Sequence, residues 1–245
     1  MECIHCNSIL SSADITFCPN CGQKPQVEIE KYENIFHNRN FYLISAYYLI
    51  TLLTLGLFKF TKLFEDDMQS VFILDSFLSI LTVAFLSLFY RKDFQLYKFK
   101  RIKISHFVSL IAIVLVGAFI INVVVKFINT FLFGVDLVYS EVFLESQYPF
   151  LLSIIFICIQ PAIFEEMAFR GFIYSGLQEM ANKETAIFIS SFLFAIMHLS
   201  IISLPWLIGI GLLFCWFRNK YNTLWYGMIG HALFNFVAVV MEFYF

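Results

Sequence analysis

Six residues in the last third of the chain are of types that do chemistry, and all of them fall inside apolar stretches. Glu165, Glu166 and Arg170 lie between Pro161 and Gly171, His198 closes Phe194-Ala-Ile-Met-His198, and His231 opens His231-Ala-Leu-Phe-Asn235. A carboxylate or arginine at the centre of a bilayer costs roughly 2.5–3.5 kcal/mol on insertion scales, so each is a functional candidate. Glu166 and Arg170 are four residues apart with the acid first, the favoured order for a helical ion pair. A helix turns about 100° per residue, so Glu165 faces a different partner. His231 and Asn235 share one helix face, and Phe194 stands one turn before His198, where it can pack beside the ring.

These types support one reaction in particular. A carboxylate with a histidine can polarise a water for attack on a carbonyl. A second histidine and an asparagine amide can donate hydrogen bonds to the resulting oxyanion. Desolvation strengthens both effects. No serine or cysteine stands at helical spacing from these histidines in an obvious triad, and the reaction needs none. The spacing leaves open a catalytic zinc on Glu165, His198 and His231, three ligands with a vacant position. Two rivals belong to other classes. A silent membrane protein that binds peptides or confers immunity would need the fold but not Glu165. A proton-coupled transporter also uses mid-membrane carboxylates and histidines, but the chain shows no two-fold repeat of broken helices. For Glu166 and Arg170 the structural alternative is an ion pair that only sets helix packing.

The elements that must position these groups are membrane helices. Of 245 residues, 60% are hydrophobic and 14% charged, against about 45–50% and 25% in soluble domains, and the mean hydropathy is +0.79. A net charge of −2 gives no basic field for nucleic acid. The polar, cysteine-bearing start is unlike a secretory signal peptide. Runs of about 20 apolar residues mark spans, and they fall at 41–60, 69–90, 106–134, 150–175, 184–200, 202–218 and 222–245. The predicted fold is therefore an all-α polytopic membrane protein of about seven transmembrane helices.

Basic residues orient it by the positive-inside rule. With the N-terminus in the cytosol, the inner segments carry Lys24, Lys31, Arg39, the run Arg91 to Lys103, Lys183, Arg218 and Lys220. The outer segments carry Lys59 and Lys62, then Asp136, Glu141 and Glu145. The C-terminus then lies outside, and the cell membrane is the expected location. The basic, aromatic run Arg91 to Ser105 reads as a topology determinant and interfacial anchor, ahead of a strip for anionic head groups. At about 1.5 Å per residue from the cytosolic ends, Glu165 falls near about 15 Å, His198 near about 21 Å and His231 to Asn235 at about 14–20 Å. One mid-membrane layer can hold them all.

The N-terminal 1–23 segment is different. Cys3-Ile-His-Cys6 and Cys18-Pro-Asn-Cys21 are paired CxxC turns whose four sulfurs suit tetrahedral structural zinc. So short a segment has no core of its own, and a metal supplies the missing folding free energy. Gly22 and Asn7 follow the knuckles, where a positive φ is common. The cytosolic side disfavours disulfides. His5 reads as a bystander, and Cys158 and Cys215 as buried packing residues. The segment resembles the short zinc ribbons at the N-termini of many prokaryotic membrane proteins, which implies docking or regulation rather than catalysis.

The three spaced motifs together resemble the CPBP family of CAAX proteases and bacteriocin-processing or self-immunity (Abi) proteins, type II CAAX prenyl endopeptidase-like, over roughly 148–240. The resemblance implies a helical membrane core with a cavity reaching the cytosolic side. It implies Glu165 and His198 as water activators, His231 and Asn235 as oxyanion stabilisers, Glu166 with Arg170 as support, and a glutamate mechanism without a catalytic metal. The chain then divides into a ribbon (1–23), a polar linker (24–40), N-terminal membrane helices (41–145) and a catalytic membrane core (146–245). The expected partners are membrane lipids, a membrane-associated peptide or protein substrate and a cytosolic partner of the ribbon.

Overall fold

The computed structural model describes residues 6, 8, 17–23, 35–61, 67–89, 93–134 and 138–244. Cys3, His5, Asn7, Lys24, Lys31, Lys62, Arg91, Lys92 and Asp136 lie outside them. Among the described residues there are seven helices and no strand: α1 Arg39–Phe60, α2 Met68–Phe89, α3 Ile104–Phe133, α4 Pro149–Leu177, α5 Lys183–Met197, α6 Leu204–Tyr221 and α7 Trp225–Tyr244.

Local chemistry sets their ends. Asn38 caps α1 by accepting from the Asn40 N–H, and Asn182 caps α5 by accepting from the Thr185 N–H, each at 2.8 Å. Pro149 and Pro205 sit in the first turns of α4 and α6, where a missing N–H loses nothing. Asn222 takes the left-handed conformation (φ 48°) and closes α6 through its N–H to the Arg218 carbonyl at 2.8 Å.

Five helices, α1, α2, α3, α4 and α7, are long and apolar enough to cross a membrane. This is two fewer than the seven spans the sequence suggests. The 15 residues of α5 rise only about 22 Å, short of a hydrocarbon core of about 30 Å. The 18 residues of α6 end on Arg218 and Lys220. These two helices instead pack along each other as a hairpin. Gly211 makes the contact, because a Cβ there would lie 2.8 Å from Ser191 Cβ.

The core gathers Tyr47 of α1, Phe169, Phe172 and Ile173 of α4, and Phe194 and Met197 of α5. A second cluster joins Leu110 and Val114 of α3 to Phe214, Phe217 and Tyr226. The outward faces remain apolar, with Ile80, Val116, Phe119 and Phe131 exposed, as a lipid-facing surface requires. The strap before α3 is pinned to the start of α7 through its backbone. Thr223 Oγ1 donates to the Lys98 carbonyl (2.9 Å), Trp225 Nε1 to that of Tyr97 (2.7 Å), and Tyr226 OH to that of Lys100. Lys98, Lys100, Arg101 and Lys103 are thereby held beside the α6–α7 turn.

Helix α4 is not uniform. Widened π turns at Ile154–Ile159 and Met167–Ile173 flank a regular segment, Gln160–Glu166, that ends on the two glutamates. Such turns are concentrated at functional sites. Pro161, without an N–H, cannot serve the Ile157 carbonyl four residues back.

Candidate functional site

Glu166 and Arg170 are fully buried, and Arg170 Nη1 donates to Glu166 Oε1 at 2.8 Å. The guanidinium lies 4.3 Å from the Phe194 ring centre and 5.5 Å from that of Phe214. His231 brings Nδ1 to 3.3 Å from the same carboxylate oxygen. A carboxylate accepts, so Nδ1 carries a proton. Gly227, one turn earlier on α7, makes this approach possible, since a Cβ there would lie 2.5 Å from Glu166 Oε2. Arg170 and His231 clamp that carboxylate, so it has little freedom to move aside.

Glu165 turns the other way. Its side chain is 36% exposed while that of Glu166 is 0%. It lines a cavity of about 460 Å³ bounded by α1, α2, α4 and the end of α5. Glu165 Oε2 is buried without a hydrogen-bond partner among the described residues and lies 3.9 Å from His231 Nε2. His198 lies in the same cavity with its ring exposed there. Its Nδ1 donates to the Phe194 carbonyl at 3.0 Å, which leaves Nε2 as the acceptor of a neutral ring.

Phe194 joins the two halves of the cluster. It is buried, and its ring centre lies 4.9 Å from that of His198 and 5.9 Å from that of His231. Leu199, directly after His198, has a φ of 51°, a strained conformation for a branched side chain. Lys59 Nζ holds that turn by donating to the Leu199 carbonyl at 3.0 Å.

Asn235 occupies a different position. Its Nδ2 donates to the Ile157 carbonyl at 2.8 Å, an acceptor that Pro161, four residues on, cannot serve for want of an N–H. Glu165, Glu166, Arg170 and His231 thus form one contact network, and His198 joins it through Phe194 and the cavity. Asn235 sits one turn beyond His231, against the first π turn of α4.

Sequence reasoning missed three groups. Asp75 is a carboxylate well inside α2 and lines the same cavity. It carries the signal that singled out Glu165, an ionisable residue within a span. Gln160 also lines the cavity, with Oε1 buried and unpartnered among the described residues. Gly227 gave no signal in one sequence.

At the N-terminus, the sulfurs of Cys6, Cys18 and Cys21 lie within 4.8 Å of one another, and those of Cys6 and Cys18 are 3.6 Å apart. Tetrahedral thiolates at about 2.3 Å from zinc are about 3.8 Å apart, so this spacing fits the metal. The Ser8 hydroxyl lies 3.0 Å from Cys6 and 3.3 Å from Cys18. That hydrogen bonding lowers the Cys18 thiol to about 6 and holds Cys6 below its ordinary value, which favours the thiolate a metal needs. Cys3, the fourth expected ligand, lies outside the described residues. Cys158 and Cys215 are buried, free and remote from this cluster.

Residues 146–237 match the family described as Type II CAAX prenyl endopeptidase Rce1-like. The match begins just before α4 and ends within α7, so it contains all six motif residues. No curated protein matches the chain, and no solved structure does.

Proposed function

We propose that this protein is an intramembrane endopeptidase that hydrolyses a membrane-associated peptide or protein with a glutamate-activated water. The observation that carries this reading is the cavity shared by Glu165 and the bare Nε2 of His198, beside His231. The similarity of residues 146–237 to a family of prenyl endopeptidases supports it.

Glu165 takes a proton from water with the help of His198, and the hydroxide attacks the carbonyl carbon. As an imidazolium, His231 donates through both nitrogens, to Glu166 at Nδ1 and to the oxyanion at Nε2. The Asn235 amide has two N–H groups; one serves Ile157, and the second is assigned to the oxyanion. Collapse of the intermediate breaks the C–N bond, and the proton held by Glu165 passes to the leaving amine. Glu166 and Arg170 act indirectly, by fixing His231. This mechanism calls on no catalytic metal, because Glu165 and His198 activate the water directly.

The basic strap, Lys183, Arg218 and Lys220 support an orientation with the N-terminus and the ribbon in the cytosol and the C-terminus outside. The ribbon, completed by Cys3, holds structural zinc and docks a cytosolic partner. Cys18→Ser is expected to abolish bound zinc, read by elemental analysis, while peptide cleavage by the folded variant persists. Loss of cleavage in a folded sample would unite the ribbon with the catalytic core.

Asn235→Ala is expected to slow turnover about 10²–10³-fold as an oxyanion donor is lost. It also removes the Asn235 bond to the Ile157 carbonyl, at about 0.5–1.5 kcal/mol of stability. Turnover and thermal unfolding, measured side by side, separate the two effects.

The direct test of the function is N-terminal peptide profiling of membranes from cells carrying wild type or Glu165→Gln. New protein termini present in wild type alone establish a peptidase and identify its substrate. Identical profiles from two well-expressed proteins would favour a silent binding or immunity protein.

A further inference from the structure

Asp75 has no task in the mechanism above. It is half-buried on a membrane-crossing helix, faces the Glu165 cavity, and has no hydrogen-bond or ion-pair partner among the described residues. A lone carboxylate at that depth is costly unless something pairs with it.

The wall around it has a consistent polarity. The hydroxyl hydrogen of Thr51 goes to the Tyr47 carbonyl (2.8 Å) and that of Thr82 to the Leu78 carbonyl (2.8 Å). Tyr47 OH, 2.9 Å from Thr82 Oγ1, must therefore donate to it. Gln160 Nε2 donates to Ser79 Oγ at 3.0 Å, while Gln160 Oε1 stays buried without a partner. Lys59, the cation at the rim, is bound to the carbonyls of Leu199 (3.0 Å) and His198 (3.4 Å) at the negative end of α5. The hydroxyls of Thr51, Thr82 and Tyr47, one Gln160 N–H and two Lys59 N–H groups are thus committed within the protein. Asp75, Glu165 and His198 line the cavity with acceptor capacity uncommitted, and Gln160 Oε1 lies buried in its wall.

A cavity lined with acceptors is complementary to a guest that brings donors. A terminal carboxylate would meet two carboxylates against the one cation, Lys59, that sits at the rim. An apolar residue would leave Asp75 unpaired. A lysine or arginine side chain supplies several N–H groups and the opposite charge. We propose, on the premise that Glu165 activates water, that Asp75 is the counter-charge of a specificity subsite that takes a lysine or arginine side chain of the substrate.

The test uses the full chain in lipid nanodiscs and two capped apolar peptides that differ only in one lysine or its neutral isostere, norleucine. Wild type should favour the lysine peptide in kcat/KM by about thirtyfold or more, the usual penalty for stripping a buried charge of its partner. Asp75→Asn should remove most of that ratio, and Asp75→Glu should restore part of it. Equal hydrolysis of both peptides by wild type, or a ratio untouched by Asp75→Asn, overturns the subsite and leaves the peptidase standing.

Binding of the same peptides to Glu165→Gln, measured by calorimetry, gives the second reading. If neither peptide is hydrolysed by wild type, yet the lysine peptide binds more tightly and Asp75→Asn equalises the two, the subsite holds and the peptidase reading fails. No hydrolysis and no difference in binding overturns both.

Discussion

Glu165→Gln is expected to lower the rate of peptide cleavage by at least about 10³-fold while the protein folds normally. The replacement keeps the shape of the side chain and removes its ability to take a proton. General acid–base catalysis alone contributes about 10²–10⁴-fold, and here the same group also sets the charge beside the attacking water. Stability should change little, because the Glu165 side chain is partly exposed to the cavity and its buried Oε2 has no hydrogen bond to lose. The measurement is single-turnover cleavage of a substrate identified by terminal profiling, with thermal unfolding as the control. A variant that retains wild-type cleavage would remove Glu165 from the mechanism. Loss of both cleavage and folding would mark it as structural.

Arg170→Met should do the reverse: its primary effect is on folding. The guanidinium and the Glu166 carboxylate are both at 0% exposure, so removing one leaves a buried charge without its partner. Breaking such a pair costs about 3–5 kcal/mol. The double variant Glu166→Gln with Arg170→Met should be markedly more stable than the single one, because no lone charge remains. Its cleavage should still be impaired, since His231 loses the carboxylate that orients Nδ1. Thermal unfolding of the two single variants and the double variant tests this. A fully additive cycle would show that the pair is not coupled.

The chemistry-bearing residues were more legible than the helices that carry them. Charges in an apolar background announce themselves, and i, i+4 spacing alone predicts the Glu166–Arg170 contact that the structure contains. The span count was harder because apolarity reports burial, not what does the burying. Residues 184–200 and 202–218 read like spans, but they are apolar because they pack on each other and on α4. Asp75 was visible by the same rule as Glu165 and was passed over for want of a neighbouring motif. The second contact of Asn235 could not be foreseen. It depends on a carbonyl of another helix, Ile157, that lies in a π turn and that Pro161 cannot serve.

The short hairpin has a consequence for the lipid. Its tip, the turn from His198 to Ser203, lies about 22 Å from the base of α5, less than the about 30 Å of a hydrocarbon layer. How far that tip lies from bulk water is therefore a property of the bilayer as much as of the chain. Membranes differ in thickness by several Å, and a span can tilt to match where a hairpin of fixed depth cannot. On the proposed mechanism, hydration of His198, and with it the supply of the second reactant, then varies with the acyl chains around the protein. Lipid composition would become a determinant of turnover with no lipid bound at any site.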